Sequence, residues 1–180
     1  LTGSDVTFSA PQDFNGSESF SVSVTDGEYT DSQIITVTIN AVNDAPVLSS
    51  VGDRDVDEDT SLNFLLSAFD VEGDALTYNI TSGTHVISTL VGNDLTFTPN
   101  ENFNGSENFT IIINDGNLED SETFTLTVNA VNDAPVLAAV SDVSFDEDGS
   151  GSTILLGFDI DGDALEYAVS GGSSITADLD

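Results

Sequence analysis

The chain repeats its own sequence after 89 residues, and this internal period constrains the fold more than any other feature. The eight residues AVNDAPVL occur at 41–48 and again at 130–137. Shifted by the same 89 positions, residues 5–32 align with residues 94–121 without a gap. Solenoid repeats have periods of about 20–50 residues, so a period this long indicates whole small domains in tandem.

Within each period, apolar residues alternate with serine and threonine, as in strands that bury one face. Phe20, Val22 and Val24 show this alternation, and no stretch of useful length has helical periodicity. The segments between the two NDAP sequences predict strands near 47–57, 62–68, 75–81, 85–91, 94–98, 108–114 and 122–130. Seven short strands in about 90 residues predict an all-β chain of tandem seven-stranded Greek-key β-sandwiches.

The apolar residues of these strands are expected to form the core of the complete sandwich. The expected core residues are Phe64, Leu66, Leu76, Tyr78, Leu95, Phe97, Phe109, Ile111, Ile113, Phe124, Leu126 and Val128.

Turn residues separate the strands. The segments TDGEYTDS (25–32) and NDGNLEDS (114–121) place Asp-Gly where the last two strands of each unit need a bend. The Asn-Gly of NFNGSE (102–107) predicts a turn before the penultimate strand, although its Asn-Gly-Ser also matches a glycosylation sequon.

The NDAP sequences predict linkers between sandwiches. Pro46 and Pro135 remove a backbone N–H and hold the preceding alanine out of the helical region, so one sandwich ends there and the next begins. This division gives a C-terminal half-unit at 1–44, a complete unit at 45–133 and an N-terminal half-unit at 134–180.

The charge balance excludes several classes of partner. The chain has 33 Asp and Glu against a single Lys or Arg, a formal net charge of −32. Nucleic acids and anionic membranes are bound through clustered Lys and Arg, which this chain lacks. Two carboxylates ~4 Å apart repel by about 4 kcal/mol near a protein surface, so clustered carboxylates need a cation or screening salt.

The strand order predicts where these carboxylates collect. Loops that follow alternate strands share one end of a sandwich, so Asp70 and Glu72 should lie near Asp115 at the top. The residues expected at the bottom, beside the next unit, are Glu58, Glu101, Asn132, Asp133, Asp159, Asp161 and Asp163. About six to eight carboxylate, amide and carbonyl oxygens suit Ca²⁺, whereas zinc needs His or Cys, and the chain has one His and no Cys.

The order of these motifs resembles a known family. NAVNDAPV, preceded by a DG turn and followed by DEDTS and then DVEGDALTY, resembles the cadherin repeat. It is most similar to the tandem cadherin-like repeats of large bacterial surface proteins and biofilm adhesins. The resemblance covers essentially the whole chain and implies an extracellular location, at the cell surface or secreted.

The resemblance also implies a set of Ca²⁺ ligands at each linker. The first junction would use Asn43, Asp44, Asp70, Glu72 and Asp115. The second junction would use Glu58, Asn132, Asp133, Asp159 and Asp161. The Asp-Arg-Glu motif of animal cadherins is missing, although Glu101 lies near its place. Asn40 and Asn129 also replace the leading Asp of the family's linker. These two departures imply fewer ions per junction than in animal cadherins.

Three other interpretations of the acidic residues are weaker. The DIDGD sequence at 159–163 has its glycine fourth instead of sixth and Ser170 in place of the closing Glu, which argues against an EF-hand. The acids could instead be solvated turns of a salt-adapted protein. Paired carboxylates can also hydrolyse glycosides, but the carboxylates of this chain lie at linkers. With one His, no Cys and no Lys, the chain also lacks the side chains for most nucleophilic catalysis, so no enzyme is expected.

These inferences predict a mechanical function, a stalk of a surface adhesin or extracellular fibre in which Ca²⁺ stiffens the linkers. The alternative is a cadherin-like module that binds a carbohydrate or protein ligand. The partners expected are neighbouring repeats of the same array. The two half-units could also complete one another between chains, head to tail, unless they are continuous with further covalent repeats.

Overall fold

The computed structural model describes residues 3–179, and throughout this range it consists of strands and loops. The strands are, in chain order, β1 (Gly16–Thr25), β2 (Thr30–Ile39), β3 (Val47–Leu48), β4 (Arg54–Asp57), β5 (Leu62–Leu65), β6 (Ala68–Phe69), β7 (Thr77–Ile80), β8 (Val86–Val91), β9 (Asp94–Pro99), β10 (Gly105–Asn114), β11 (Glu119–Asn129), β12 (Val136–Leu137) and β13 (Gly157–Phe158). The all-β prediction is confirmed.

Strands β3 to β11 form the β-sandwich that was expected between the two linkers. One sheet has the order β4-β11-β10-β7, and facing it are the sheet β5-β9-β8 and the short pair β3-β6. The β4–β11 pairing is parallel, and the other pairings in this unit are antiparallel.

The predicted strand 47–57 is divided into β3 and β4, which pair with different sheets. The cause is the side chain of Glu122, whose carboxylate accepts the N–H groups of Val51 and Gly52 at 2.8 and 2.9 Å. Gly52 also has a φ of +64°, a conformation that favours glycine. Prediction of a single strand over 47–57 was therefore wrong.

The predicted strand 62–68 is likewise divided, into β5 and β6. At the break, the Leu66 N–H donates to the carbonyl oxygen of Asn93, and the Asn93 side chain donates to the carbonyl oxygen of Leu66. These bonds replace two ladder bonds of a continuous strand. The other predicted strands of the unit agree with the structure to within a few residues.

The core of the sandwich consists of apolar side chains that the two sheets bury. Its buried members are Leu48, Val56, Leu66, Val86, Leu95, Phe97, Phe109, Ile111, Ile113, Phe124, Leu126 and Val128. The expected residues Phe64 and Tyr78 are partly buried against it, and Leu76 is half-buried. Leu48, Val56 and Val86 were not predicted, since they lie at the ends of short strands where alternation is brief.

The two Asp-Gly turns have the same geometry. The N–H of Asp26 donates to the carbonyl oxygen of Tyr29 at 3.3 Å, and the N–H of Asp115 donates to that of Leu118 at 3.2 Å. Each turn has its glycine at positive φ, which an alanine would adopt only with strain. The hairpins β1–β2 and β10–β11 are thus equivalent, as the repeat predicted.

Outside the sandwich, the described chain forms the β1–β2 hairpin and the two-residue pair β12–β13. The boundaries at 44/45 and 133/134 stay predictions, and residues 1, 2 and 180 of the two half-units lie outside the described residues. Residues 3–179 contain no helix with the length and apolar character needed to span a bilayer.

Candidate metal centres

The first linker lies against the Asp-Gly turn of the complete sandwich. The Asn43 side chain donates hydrogen bonds to Asp115 Oδ2 at 2.8 Å and to the carbonyl oxygen of Asp44 at 3.1 Å. Asp115 Oδ1 accepts the N–H groups of Asn117 and Leu118 at 2.6 and 2.7 Å. The N–H of Leu118, and then the Asn43 amide, lower the pKa of Asp115 below its usual value. A carboxylate is therefore kept ionised beside the linker.

The loop after β6 reaches the same linker. Asp70 is 6% exposed, and its Oδ1 accepts the N–H groups of Glu72 and Asp74 at 3.1 and 3.0 Å. Gly73, with a φ of +77°, closes this loop. Glu72 Oε2 then accepts the N–H of Asp44 at 3.2 Å. The five residues predicted for the first junction thus lie in one hydrogen-bonded group.

The second linker repeats this contact 89 residues along the chain. The N–H of Asp133 donates to Asp161 Oδ2 at 2.7 Å. Asp159 Oδ1 accepts the N–H groups of Asp161 and Asp163 at 3.1 and 3.2 Å, so this loop has the shape of the loop after β6. The Asn132 side chain donates to the carbonyl oxygen of Asp133 at 2.9 Å. Linker and loop meet in the same way at both junctions.

Glu58 brings a third segment to the second junction. It is only 2% exposed, and its Oε1 accepts the N–H of Val131 at 2.6 Å, where the chain leaves β11. Its own N–H donates to the carbonyl oxygen of Asn129 at 2.9 Å. The neighbouring Asp59 accepts the N–H of Asn102 at 3.0 Å. Prediction from sequence missed Asp59, although its place beside Glu58 in the DEDTS motif was a signal.

Negative charge accumulates around Asp133. Burial raises the pKa of this carboxyl above its usual value, and repulsion from neighbouring carboxylates raises it further. Those neighbours are, in decreasing order of effect, Asp59, Asp161, Glu58 and Asp159. The carboxylates of the second junction therefore repel one another, and a bound cation would relieve that repulsion.

Each junction also holds a buried carboxylate oxygen that lacks a hydrogen-bond partner. Among the described residues these atoms are Asp70 Oδ2 at the first junction and Asp133 Oδ2 at the second. An unpaired buried carboxylate oxygen is costly, because protein groups fail to replace its lost hydration. The only Arg of the chain, Arg54, lies 5.0 Å from the ring centroid of Phe64 and forms no ion pair with a carboxylate of residues 3–179.

Glu101 differs from the other predicted ligands. It is exposed in the turn before β10, and within residues 3–179 no hydrogen bond joins it to the second junction. Its neighbour Asn102 contacts Asp59 through the backbone. The structure therefore places Glu101 at the end of the sandwich that holds the second junction, and its part in binding a metal stays a prediction.

The donor set fits calcium better than other metals. In the described part of the chain, no three His, Cys, Asp or Glu side chains lie close enough together to hold a metal ion by themselves. A site here needs amide and backbone carbonyl oxygens as well, and both linkers supply them at Asn43–Asp44 and Asn132–Asp133. Calcium accepts such mixed oxygen ligands with irregular geometry, whereas Mg²⁺ demands a near-ideal octahedron.

Comparison with known proteins gives three kinds of similarity. Residues 43–129 match the family described as bacterial Ig domain. Over 132 residues, the chain is 30% identical to a chitinase A of Pseudoalteromonas piscicida. The matched region covers 71% of this chain and 16% of that protein. The chain therefore spans less than a fifth of this curated relative.

Two solved structures are also similar. The first is an endo-fucoidan hydrolase of glycoside hydrolase family 107, with 27% identity, a TM-score of 0.42, and coverage of 65% of this chain and 19% of that chain. The second is the extracellular cadherin domains 1–5 of protocadherin gamma B2, with 22% identity, a TM-score of 0.48, and coverage of 69% of this chain and 27% of that chain.

Proposed function

Because residues 43–129 match the bacterial Ig domain family, we propose that the chain is an extension segment of a secreted or surface-attached bacterial protein, stiffened at its linkers by Ca²⁺. An adhesin stalk and an extracellular fibre are the settings that fit. The observation that carries this proposal is the linker-to-loop contact, which recurs 89 residues apart with an unpartnered buried carboxylate oxygen at each junction.

The chain's own residues determine how such a linker would respond to the ion. Bound Ca²⁺ supplies positive charge between carboxylates that otherwise repel. At the first junction the residues that would hold it are Asn43, Asp44, Asp70, Glu72 and Asp115. At the second they are Glu58, Asn132, Asp133, Asp159 and Asp161. At the second junction these ligands come from the units on both sides of the linker, so one ion would fix the orientation of the two units. At the first junction the named ligands come from the linker and the unit that follows it.

The proposed role is structural, and it assigns no reaction to the chain. Ig-like domains serve mainly as spacers and binding modules, and a fold by itself implies no chemistry. Extracellular Ca²⁺ is millimolar, and extracellular modules bind Ca²⁺ with dissociation constants of about 10⁻⁴–10⁻³ M, so modest sites would be filled there.

Small-angle X-ray scattering with and without a chelator tests this proposal directly. We expect Ca²⁺ to narrow the distribution of interunit angles and to raise the melting temperature, with strontium substituting in part. The variant Asp133→Ala should weaken Ca²⁺ binding at the second junction by about tenfold or more and leave the first unchanged. Asp178→Ala, at an exposed position, is the matched control. Scattering and melting profiles that a chelator leaves unchanged would refute the calcium role.

The chitinase similarity favours a second candidate function, a carbohydrate-associated accessory module. In this case the repeat would bind, or space a catalytic domain from, an insoluble polysaccharide. Tyr29 is 72% exposed at the β1–β2 turn and could stack on a sugar ring. Co-sedimentation with chitin, repeated with Tyr29→Ala, separates the two functions, because a pure spacer would stay in the supernatant in both cases.

A further inference from the structure

The chain enters and leaves the complete sandwich along two segments that lie side by side and run in the same direction. Residues 48–58 follow the first linker, and residues 120–131 lead into the second. Within these segments β4 and β11 form a parallel ladder, which begins where Arg54 lies beside Leu126. The other strand pairings of this sandwich are antiparallel. We call the contact between residues 48–58 and 120–131 the lap.

Side-chain carboxylates extend the lap from this short ladder toward the first linker. Asp120 Oδ2 accepts the N–H of Leu48 at 2.9 Å. Glu122 accepts the N–H groups of Val51 and Gly52 at 2.8 and 2.9 Å, each with a different carboxylate oxygen. These bonds hold the entering chain beside β11 where the connection between β3 and β4 forms no strand.

Carboxylates also extend the lap toward the second linker. Asp57 Oδ1 accepts a hydrogen bond from the side-chain amide of Asn129 at 3.1 Å. The N–H of Glu58 donates to the carbonyl oxygen of Asn129 at 2.9 Å, and Glu58 Oε1 accepts the N–H of Val131 at 2.6 Å. The lap therefore continues to the point at which the chain leaves the sandwich.

The partners in these bonds keep a nearly constant separation in the sequence. Between the two ends of the lap, Asp53 Oδ1 accepts the N–H of Thr125 at 2.8 Å, and the two residues are 72 positions apart. The other hydrogen bonds of the lap join residues 70 to 73 positions apart. The two segments thus stay parallel along the lap, joined by carboxylates from both of them. The carboxylates concerned are Asp53, Asp57, Glu58, Asp120 and Glu122.

Tension applied through the two linkers would act along the lap. It pulls residues 48–58 toward the start of the chain and residues 120–131 toward its end. Because the two segments are parallel, these pulls are opposite in direction and run along the segments, so the bonds are sheared together instead of being opened one after another. Hydrogen bonds to ionised carboxylates are also roughly twice as strong as bonds between neutral groups. The other strand pairing of the entering chain, β3–β6, is two residues long, so most of the load falls on the lap.

We propose that the lap is the force-bearing joint of this repeat, in which the five carboxylates carry tension from one linker to the other. This inference rests on the proposed extension role, because the lap is loaded only when tension passes through the linkers. It does not rest on Ca²⁺, because each carboxylate of the lap accepts its hydrogen bonds from groups of the protein. Glu58 belongs to both features, so the lap ends at the second junction.

Single-molecule force spectroscopy of the 180-residue chain in chelator tests the direction of loading. The sequence contains no Cys, so two introduced cysteines give unique handles. Handles from Ala45→Cys and Ala134→Cys, at equivalent exposed positions of the two linkers, load the lap in shear. Handles from Ala45→Cys and Asn117→Cys are the control, because Asn117 lies in the turn at the first-linker end of β11 and the pull then opens the lap from one end. We expect the unfolding force to be at least about twofold higher in shear. Equal forces in the two geometries would overturn the proposal.

The variant Glu122→Gln tests whether carboxylates carry the load. Gln33 occupies the equivalent position in β2, so glutamine is compatible with this strand. At constant force in the shear geometry, the unfolding rate should rise by about tenfold or more, because hydrogen bonds to a charged group are lost from the lap. The matched control Asn93→Ala removes a bond to the carbonyl oxygen of Leu66, outside the lap, and should change this rate by less than about twofold.

Comparison of the two geometries separates a force-bearing role from ordinary destabilisation. Glu122→Gln should accelerate unfolding more in shear than in the control geometry, where the bonds of the lap open in sequence. Equal acceleration in both geometries, or equal effects of Glu122→Gln and Asn93→Ala in shear, would contradict the proposal. Either outcome would leave the calcium role untouched, since that role is tested by scattering. Conversely, scattering that a chelator leaves unchanged would remove the calcium role without affecting the lap.

Discussion

At the level of single side chains, Asp133 is a carboxyl whose surroundings oppose its charge. Its pKa is raised by burial and by the carboxylates of Asp59, Asp161, Glu58 and Asp159. A carboxyl whose pKa is raised in the folded state stabilises that state below the unfolded pKa, and the contribution is lost as pH rises through the folded pKa. Without divalent cations, the second junction should therefore lose stability as pH rises from about 4.

The effect of Asp133→Asn on the melting temperature should have opposite signs with and without calcium. In chelator at neutral pH it removes a repelled charge, so the melting temperature should rise. In millimolar Ca²⁺ it removes a ligand, so the melting temperature should fall. Differential scanning calorimetry in both buffers measures the two signs, with Asp178→Asn as the exposed control. The same sign in both buffers would show that Asp133 acts without the ion.

Phe109 packs within a cluster of aromatic rings in the core. It is fully buried, with its ring centroid 4.6 Å from that of Phe97 and 6.3 Å from that of Phe124. Phe109→Ala should lower the free energy of unfolding by about 3–5 kcal/mol, because it opens a cavity among these rings. Leu65→Ala, at a position 68% exposed, should change it by less than about 0.5 kcal/mol. Urea denaturation of both variants measures the difference, and comparable losses would contradict the strand register.

At the level of strands, the break between β3 and β4 depends on Glu122. Its pKa is lowered, first by the N–H groups of Gly52 and Val51 and then by the Ser50 hydroxyl, although burial and Asp120 oppose this. A lowered pKa contributes stability above the usual glutamate value of about 4.3, and the contribution is lost as pH falls through the folded pKa.

Replacing Glu122 should therefore destabilise the sandwich in a pH-dependent way. Glu122→Gln should cost about 1–3 kcal/mol at neutral pH, and this cost should decrease as pH falls through the lowered folded pKa of Glu122, where the carboxylate becomes protonated. Glu119→Gln, on the same strand but exposed, should have no comparable effect. Urea denaturation at several pH values distinguishes the two variants. A cost for Glu122→Gln that is independent of pH would mean that the carboxylate charge does not hold the break.

The strand breaks show what sequence alone could and could not predict. Apolar alternation placed β10 near 108–114 and β11 near 122–130, and the Asp-Gly sequences placed both turns, because these signals are local. The break at 51–53 depends on Glu122, about 70 residues away, and the break at 66–67 depends on Asn93. Such distant hydrogen bonds leave no local pattern, so the two strands were predicted as continuous.

The candidate site shows the same division. Strand order alone was sufficient to bring Asp70, Glu72 and Asp115 to one linker. It also included Glu101, whose side chain is exposed, and did not include Asp59, which lies beside buried Glu58. The direction of a loop decides which of two neighbouring carboxylates turns inward, and the alternation of apolar and polar residues in the strands carries no information about loop direction.

For the chain in its entirety, the remaining question is whether its acidity reflects calcium binding or adaptation to salt. Monovalent salt screens repulsion over a Debye length of about 10 Å at 0.1 M and about 3 Å at 1 M, and this screening acts on exposed carboxylates wherever they lie along the chain. A bound ion acts only where ligands converge. We therefore expect millimolar CaCl₂ to fix the interunit angle, whereas NaCl at any concentration should compact the chain without fixing that angle.

Scattering measured across a NaCl series, with CaCl₂ or with chelator, separates these effects. With calcium, the maximum dimension should be independent of NaCl until competition at high ionic strength weakens the sites. With chelator, it should vary smoothly with NaCl as repulsion is screened. The double variant Asp44→Asn/Asp133→Asn should follow the chelator curve even in CaCl₂, because one linker carboxylate is lost from each junction. If NaCl alone reproduced the CaCl₂ profile, solvation by salt would account for the acidic surface, and the linkers would need no ion to align the repeats.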